Sequence, residues 1–93
     1  MSSRPPFVRP TYYQDPGHGW IAVKRQWLHA LGIADKITYF SYQRGSTVYL
    51  EEDCDMTLFH DTATRAGWEI TYAVKSTDRR SPIRSYNHYT AQP

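Results

Sequence analysis

The stretch from Gly45 to Gly67 constrains this chain more than any other, because G-STVYL-EEDCD-MTLFHDTATRA-G reads as a turn, a strand, an acidic corner and a helix in succession. Ser46 to Leu50 alternates, with Val48 and Leu50 on one side and Thr47 and Tyr49 on the other, which is the period of a half-buried strand. Ahead of it, Tyr42-Gln43-Arg44-Gly45 suits a hairpin loop whose glycine takes the left-handed conformation. Ile37 to Tyr42 is therefore expected to be the antiparallel partner, with Ile37, Tyr39 and Phe40 as its apolar residues. Beyond the acids, Met56, Phe59, Ala63 and Ala66 recur at helical spacing. The spacing predicts a helix over 55–66, capped by Asp53 or Asp55 and closed by Gly67, with Trp68 folding back on Ala63.

The flanking segments extend that unit. Phe7 to Tyr13 alternates weakly and contains Pro10, which suits an edge strand or an extended arm. Asp15-Pro16-Gly17 is a strong turn signal, so this arm and Trp20–Val23 are expected to form a first hairpin. Lys24 to Leu31 reads as a helix, with Val23, Trp27 and Leu31 on one stripe, Gly32 at its end and Ile33 placed against Leu28. The second helix ends in the same way, which fits ordinary capping chemistry better than a duplicated unit. Trp68 to Val74 alternates best of all, with Trp68, Ile70, Tyr72 and Val74 on the face expected to be buried. A right-handed strand–helix–strand crossover is one pairing it allows. Ser76–Ser81 is a polar, basic loop, and Pro82–Tyr89 is a last strand or a segment clasping the body. The fold class expected is α+β: a small, mainly antiparallel sheet of four or five strands with two helices packed on one face.

Ninety-three residues make one domain, 1–93, with 1–6 and 90–93 expected to be loose. The net charge of +2 makes no strong case for nucleic acid and argues against a mimic of DNA. One cysteine excludes an internal disulfide framework and fits a reducing, cytoplasmic setting. Met1 to Pro10 has no apolar signal core and no run approaches membrane-spanning length, so no membrane association is expected.

No catalytic or metal motif is present, so no enzyme activity and no cofactor is expected. Glu51, Glu52, Asp53 and Asp55 place four carboxylates in five residues. They lack the spacing of a calcium loop and show no pocket that would tune a catalytic pair. Two readings are favoured for them over a metal-dependent hydrolase site: a solvated helix start, or a patch that docks on a basic protein surface with Tyr49 beside it. His18, between two glycines, reads as part of a turn, and Asp15 beside it lacks a nucleophile to serve. Cys54 and His60 are wrongly spaced for zinc, and the acids around Cys54 predict an unreactive thiol. Arg44, Arg79, Arg80 and Arg84, with Tyr86 and Tyr89, interleave cations and rings as a nucleic-acid-binding module would, and equally as a solvated tail would.

Asp15-Pro16-Gly17-His18-Gly19-Trp20, Tyr42-Gln43-Arg44-Gly45 and Val48-Tyr49-Leu50-Glu51-Glu52-Asp53-Cys54-Asp55 resemble a group of small proteins of bacterial phages and mobile elements, over about residues 11 to 89. By size and type the chain is similar to anti-CRISPR inhibitors, which carry no enzyme motif and bind a host effector. The resemblance implies an inhibitor of a host bacterial protein complex, for example a CRISPR effector, and the acidic patch is the surface that the residues themselves offer for it. The alternative is a nucleic-acid-binding module built on the C-terminal cations.

Overall fold

The structure is a computed structural model and describes residues 6–91. Its strands are β1 (Phe7–Val8), β2 (Thr11–Gln14), β3 (Gly19–Lys24), β4 (Tyr42–Arg44), β5 (Thr47–Glu51), β6 (Glu69–Ile70), β7 (Ala73–Ser76) and β8 (Asn87–His88). Helix α1 is Arg25–Ala30, α2 is Asp55–Arg65, and a 3-10 turn spans Pro82–Ser85. The α+β class expected from the sequence holds, but the sheet is larger and mixed. Six strands run in the order β7-β2-β3-β5-β4-β8, and β2 and β7 are parallel.

That parallel pair accounts for the difference. The arm was expected to close a hairpin only with Trp20–Val23, and β2 and β3 do pair antiparallel, Tyr13 opposite Trp20. The other edge of β2 takes β7, with Thr11 opposite Ala73, and β1 continues the same register onto β6, with Phe7 opposite Glu69. The strand after α2 thus pairs with the N-terminal arm and not with β5. Pro10 lies in the interruption between β1 and β2, so β2 is an interior strand and not the edge its proline suggested. The Pro10 carbonyl still accepts from the Ala73 N–H. Proline removes a donor and leaves the acceptor, which is why the pairing survives it. The expected Trp68–Val74 strand is correspondingly split into β6 and β7, and Val74, 63% exposed, lies on the outer edge instead of in the core.

The hairpin around Gly45 forms as read, with β4 and β5 antiparallel and Gly45 at φ +60°. Its first strand is shorter than expected, since 37–41 is a looped segment in which Ile37 is buried and Tyr39 and Phe40 are exposed. Both helices end in paired backbone bonds. Ile33 N–H donates to Leu28 O and Gly32 N–H to His29 O, and Trp68 N–H donates to Ala63 O and Gly67 N–H to Thr64 O. These are two instances of one capping motif.

Ile21, Val23, Val48 and Leu50 alternate onto one face of β3 and β5, where Leu28 of α1 and Phe59 and Ala63 of α2 bury them. Both helices therefore cover this face, and Trp27 stacks on Phe59 at 6.3 Å. The chain's end joins the same core: Tyr89 is buried, its hydroxyl donates to Ala34 O, and the Arg25 guanidinium lies over its ring. Pro6 and Thr90, expected to be loose, are fastened: the Pro6 carbonyl accepts from Glu69 N–H, and Thr90 N–H donates to the Gln43 side chain. Of the other expected loose positions, Ala91 is exposed and 1–5 and 92–93 lie outside the described residues.

Candidate partner-binding site

The opposite face of the sheet is built differently. Strand alternation sends Tyr13, Trp20, Tyr42, Tyr49 and Glu51 there, and cross-strand register sets Trp20 against Glu51 and Tyr49 against Tyr42. The rings form two clusters. In one, Tyr49 lies 6.1 Å from Tyr13 and 5.2 Å from Tyr86. In the other, Trp20 meets His18 at 5.8 Å and Tyr42 at 6.3 Å, both edge-on, and His88 stacks on Tyr42 at 4.9 Å.

The turn after β2 holds the C-terminal segment over this face. Asp15 is 4% exposed, and its carboxylate accepts from the backbone N–H of Gly17, His18 and Ser81. Arg84 completes the set through Nε and Nη2, each at 2.8 Å. The Arg84 guanidinium, helped by those backbone donors against the cost of burial, holds the Asp15 carboxyl well below the usual carboxylate range. The Asp15–His18 pair considered at the sequence level is therefore a turn plus an ion pair across the chain, 2.8 Å at its closest. Arg84 also lies over the Trp20 ring at 5.9 Å.

This geometry redistributes the candidate cations. Of the residues expected in a nucleic-acid-binding module, Arg84 is paired with Asp15 and Tyr89 is buried. Arg44 and Tyr86 do come together: Arg44 donates to the Tyr86 hydroxyl at 3.2 Å and lies 5.2 Å from its ring. Arg79 and Arg80 are exposed in the loop before the 3-10 turn.

The acidic corner divides in the same way. Asp55, expected in the docking patch, is 2% exposed and serves as an internal anchor. Its carboxylate accepts from the Thr38 N–H, the Thr38 hydroxyl and the Ser41 hydroxyl, which ties the 37–41 segment to the start of α2. It is not a capping residue, and neither is Asp53: the residue before α2 is Cys54, which makes no side-chain cap. Glu52 turns to the helix side and accepts from the Tyr12 hydroxyl at 3.0 Å. Tyr49 is half-buried, and burial, then the neighbouring Tyr86 and Tyr13, pushes its hydroxyl pKa up. Cys54 is likewise pushed up, burial of its sulfur being the largest cause and the charges of Asp55 and Glu51 adding to it.

Glu51 and Asp53 are the two acids that stay together. They border an open hollow of about 370 Å³ whose other walls are Trp20, Tyr42, Phe40, His18, His88 and Cys54. Burial, then the charge of Asp53, pushes the Glu51 carboxyl above its ordinary value. Phe40 is 56% exposed and Asp53 is exposed, while Trp20 is 1% exposed. The Trp20 indole Nε1 is the one buried side-chain polar atom without a hydrogen-bond partner among the described residues. His18, Trp20, Phe40, Tyr42 and His88 carry no sequence signal that marks them as members of this site. Alternation could have put Trp20, Tyr42 and Glu51 on one face, but only with the register of β3 to β5 in hand.

No group of His, Cys, Asp and Glu able to hold a metal ion occurs among the described residues. Among them, too, no helix is long and apolar enough to cross a membrane. Comparison with protein-family models, with curated proteins and with solved structures finds no match.

Proposed function

We propose that this chain is an interaction protein that docks on a cationic partner surface through the Glu51–Asp53 hollow. The observation that carries the reading is the pairing of two carboxylates, one of them partly desolvated, with exposed and half-buried rings in a single hollow. Rings supply anchoring area at low entropy cost, and the acids steer encounter and fix register. Tyr49 supports the same face from the neighbouring ring cluster. The protein would act by occupying a surface and not by chemistry. The setting proposed is the one the sequence resemblance implies: a phage or mobile-element product that inhibits a host bacterial complex, for example a CRISPR effector, inside the host cell.

The test is a pull-down with tagged protein from nuclease-treated lysate of a bacterium with intact defence systems. One stoichiometric complex, lost in the Glu51→Lys/Asp53→Lys variant while its far-ultraviolet circular dichroism is unchanged, is the expected result. Equal recovery by that variant would remove the hollow as the interface.

A second reading is favoured by Arg44 lying on Tyr86, a cation and a ring offered together, with Arg79 and Arg80 exposed in the loop after β7. It makes the chain a nucleic-acid-binding module. It predicts an affinity for single-stranded probes that falls steeply with salt and drops in Arg44→Ala. Absence of binding at low salt would eliminate it.

A further inference from the structure

The docking reading leaves open what enters the hollow, and the inference below rests on that reading. Tyr42 and His88 form a stacked pair on one side, Trp20 lies edge-on to Tyr42, and Phe40 projects with 56% of its surface exposed. Ring faces carry negative quadrupole potential and attract cations within about 6 Å of their centroids. Glu51 and Asp53 add formal charge of the same sign at the border. The site therefore selects positive charge on a body that rings can also pack against.

A bare ammonium is compact and strongly hydrated, and entering among rings strips its water. A methylated ammonium carries the same charge spread over an apolar shell, so it loses less on entry and contacts the rings directly. It would also relieve the desolvated, like-charged state of Glu51 beside Asp53. Arg84 already lies 5.9 Å from the Trp20 ring, but its charge is matched by Asp15 and it does not line the hollow.

We propose that the hollow is an aromatic cage for the methylated ammonium of a lysine side chain presented by the protein partner. Tyr42, Phe40 and His88 form the cage over the buried Trp20, and Glu51 and Asp53 supply its counter-charge.

The probe is the Nα-acetyl, C-terminal amide of trimethyl-lysine, titrated into the full chain and followed by the indole N–H signals in proton–nitrogen NMR spectra. The Trp20 indole, which has no acceptor among the described residues, reports occupancy. Saturable movement of that signal, with the Trp27 and Trp68 indoles unmoved, is expected. The neutral carbon isostere should bind roughly tenfold more weakly and bare acetyl-lysine amide roughly threefold more weakly, the range of a partly exposed cation–π contact. Phe40→Ala and Asp53→Asn alter exposed residues and should leave the fold intact while each weakens the probe about threefold. No movement of the Trp20 signal at about 10 mM probe, the weakest binding worth assigning to a site, overturns the cage. So does equal affinity for the isostere or for bare lysine, or indifference to both substitutions. The two readings fail separately. A host complex lost by Glu51→Lys/Asp53→Lys, beside a probe affinity that Phe40→Ala and Asp53→Asn leave unchanged, keeps the docking surface and removes the cage. Capture unaffected by the double charge reversal removes both.

Discussion

The two faces of the central sheet use the same strands and hold their cover by opposite means. On the helix face Ile21, Val23, Val48 and Leu50 meet Leu28, Phe59 and Ala63, all at 1% exposure or less, and burial of apolar area is the cohesion. On the other face Trp20, Tyr42 and Tyr49 meet a C-terminal segment held by one buried carboxylate, Asp15, and its five donors. A non-directional core tolerates rearrangement in small steps. The 3-10 turn of that cover is fastened through one carboxylate, ahead of β8 on β4 and the buried Tyr89, so it is specific in position and vulnerable at that carboxylate. The second arrangement leaves rings and acids part-exposed around a hollow, which is what a binding surface needs and a core cannot supply.

The comparison can be broken first at the core. Leu50→Ala should cost about 4 kcal/mol, since a fully buried leucine leaves a cavity in a packed interior. Urea unfolding should show one transition moved strongly down, and a small change would mean that the helix face is not the main source of stability. Asp15→Ala comes next, at about 3 kcal/mol, the order expected when one partner of a buried pair is removed. Hydrogen exchange should rise over residues 81–88 more than over β3 and β5. Uniform loss across both faces would show that the covers are one cooperative unit.

Acid sharpens the same contrast. Asp15 titrates lower in the folded than in the unfolded chain, so the folded state stays ionised where the unfolded state takes up a proton. Its stabilising contribution is complete above the unfolded value of about 3.9 and is lost as pH falls below it. Glu51 is shifted the other way and gains stability on acidification, so the bare curve mixes two signs. The gap in stability between the parent and Asp15→Ala should therefore shrink from pH 7 to about pH 3, and an unchanged gap would show that the ion pair is not the fastening.

Smaller effects test single positions. Gly32 sits at φ +72° at the end of α1, and Gly32→Ala should cost about 1 kcal/mol from backbone conformation alone, since the space around it is open. Val74→Ser, on the outer edge strand at 63% exposure, should change stability by less than about 0.5 kcal/mol. A larger loss there would mean that β7 is covered in solution by something absent from this fold.

Local signals were legible where one segment carries its own instructions. Gly45 with the Thr47–Leu50 alternation specified a hairpin, and the apolar spacing with a closing glycine specified α2 to within a residue. Periodicity, capping and turn chemistry act over a few residues, so they can be read from a few residues. The acidic corner was legible as composition but not as a surface. Five adjacent residues include a strand end that points outward at Glu51, a residue turned to the helix side at Glu52, and a helix start that buries Asp55. Which of them stays available depends on Tyr12, Thr38 and Ser41, partners between ten and forty positions away. The parallel pairing of β2 with β7, the Asp15–Arg84 bond and the ring-lined hollow are likewise contacts between distant segments. Sequence by itself determined the two helices, the Gly45 hairpin and the face that β5 would bury. Only the tertiary structure decided which strands became neighbours, and so which rings and which charges share a site, because side chains far apart in the chain acquire a common environment only when the register between strands is set.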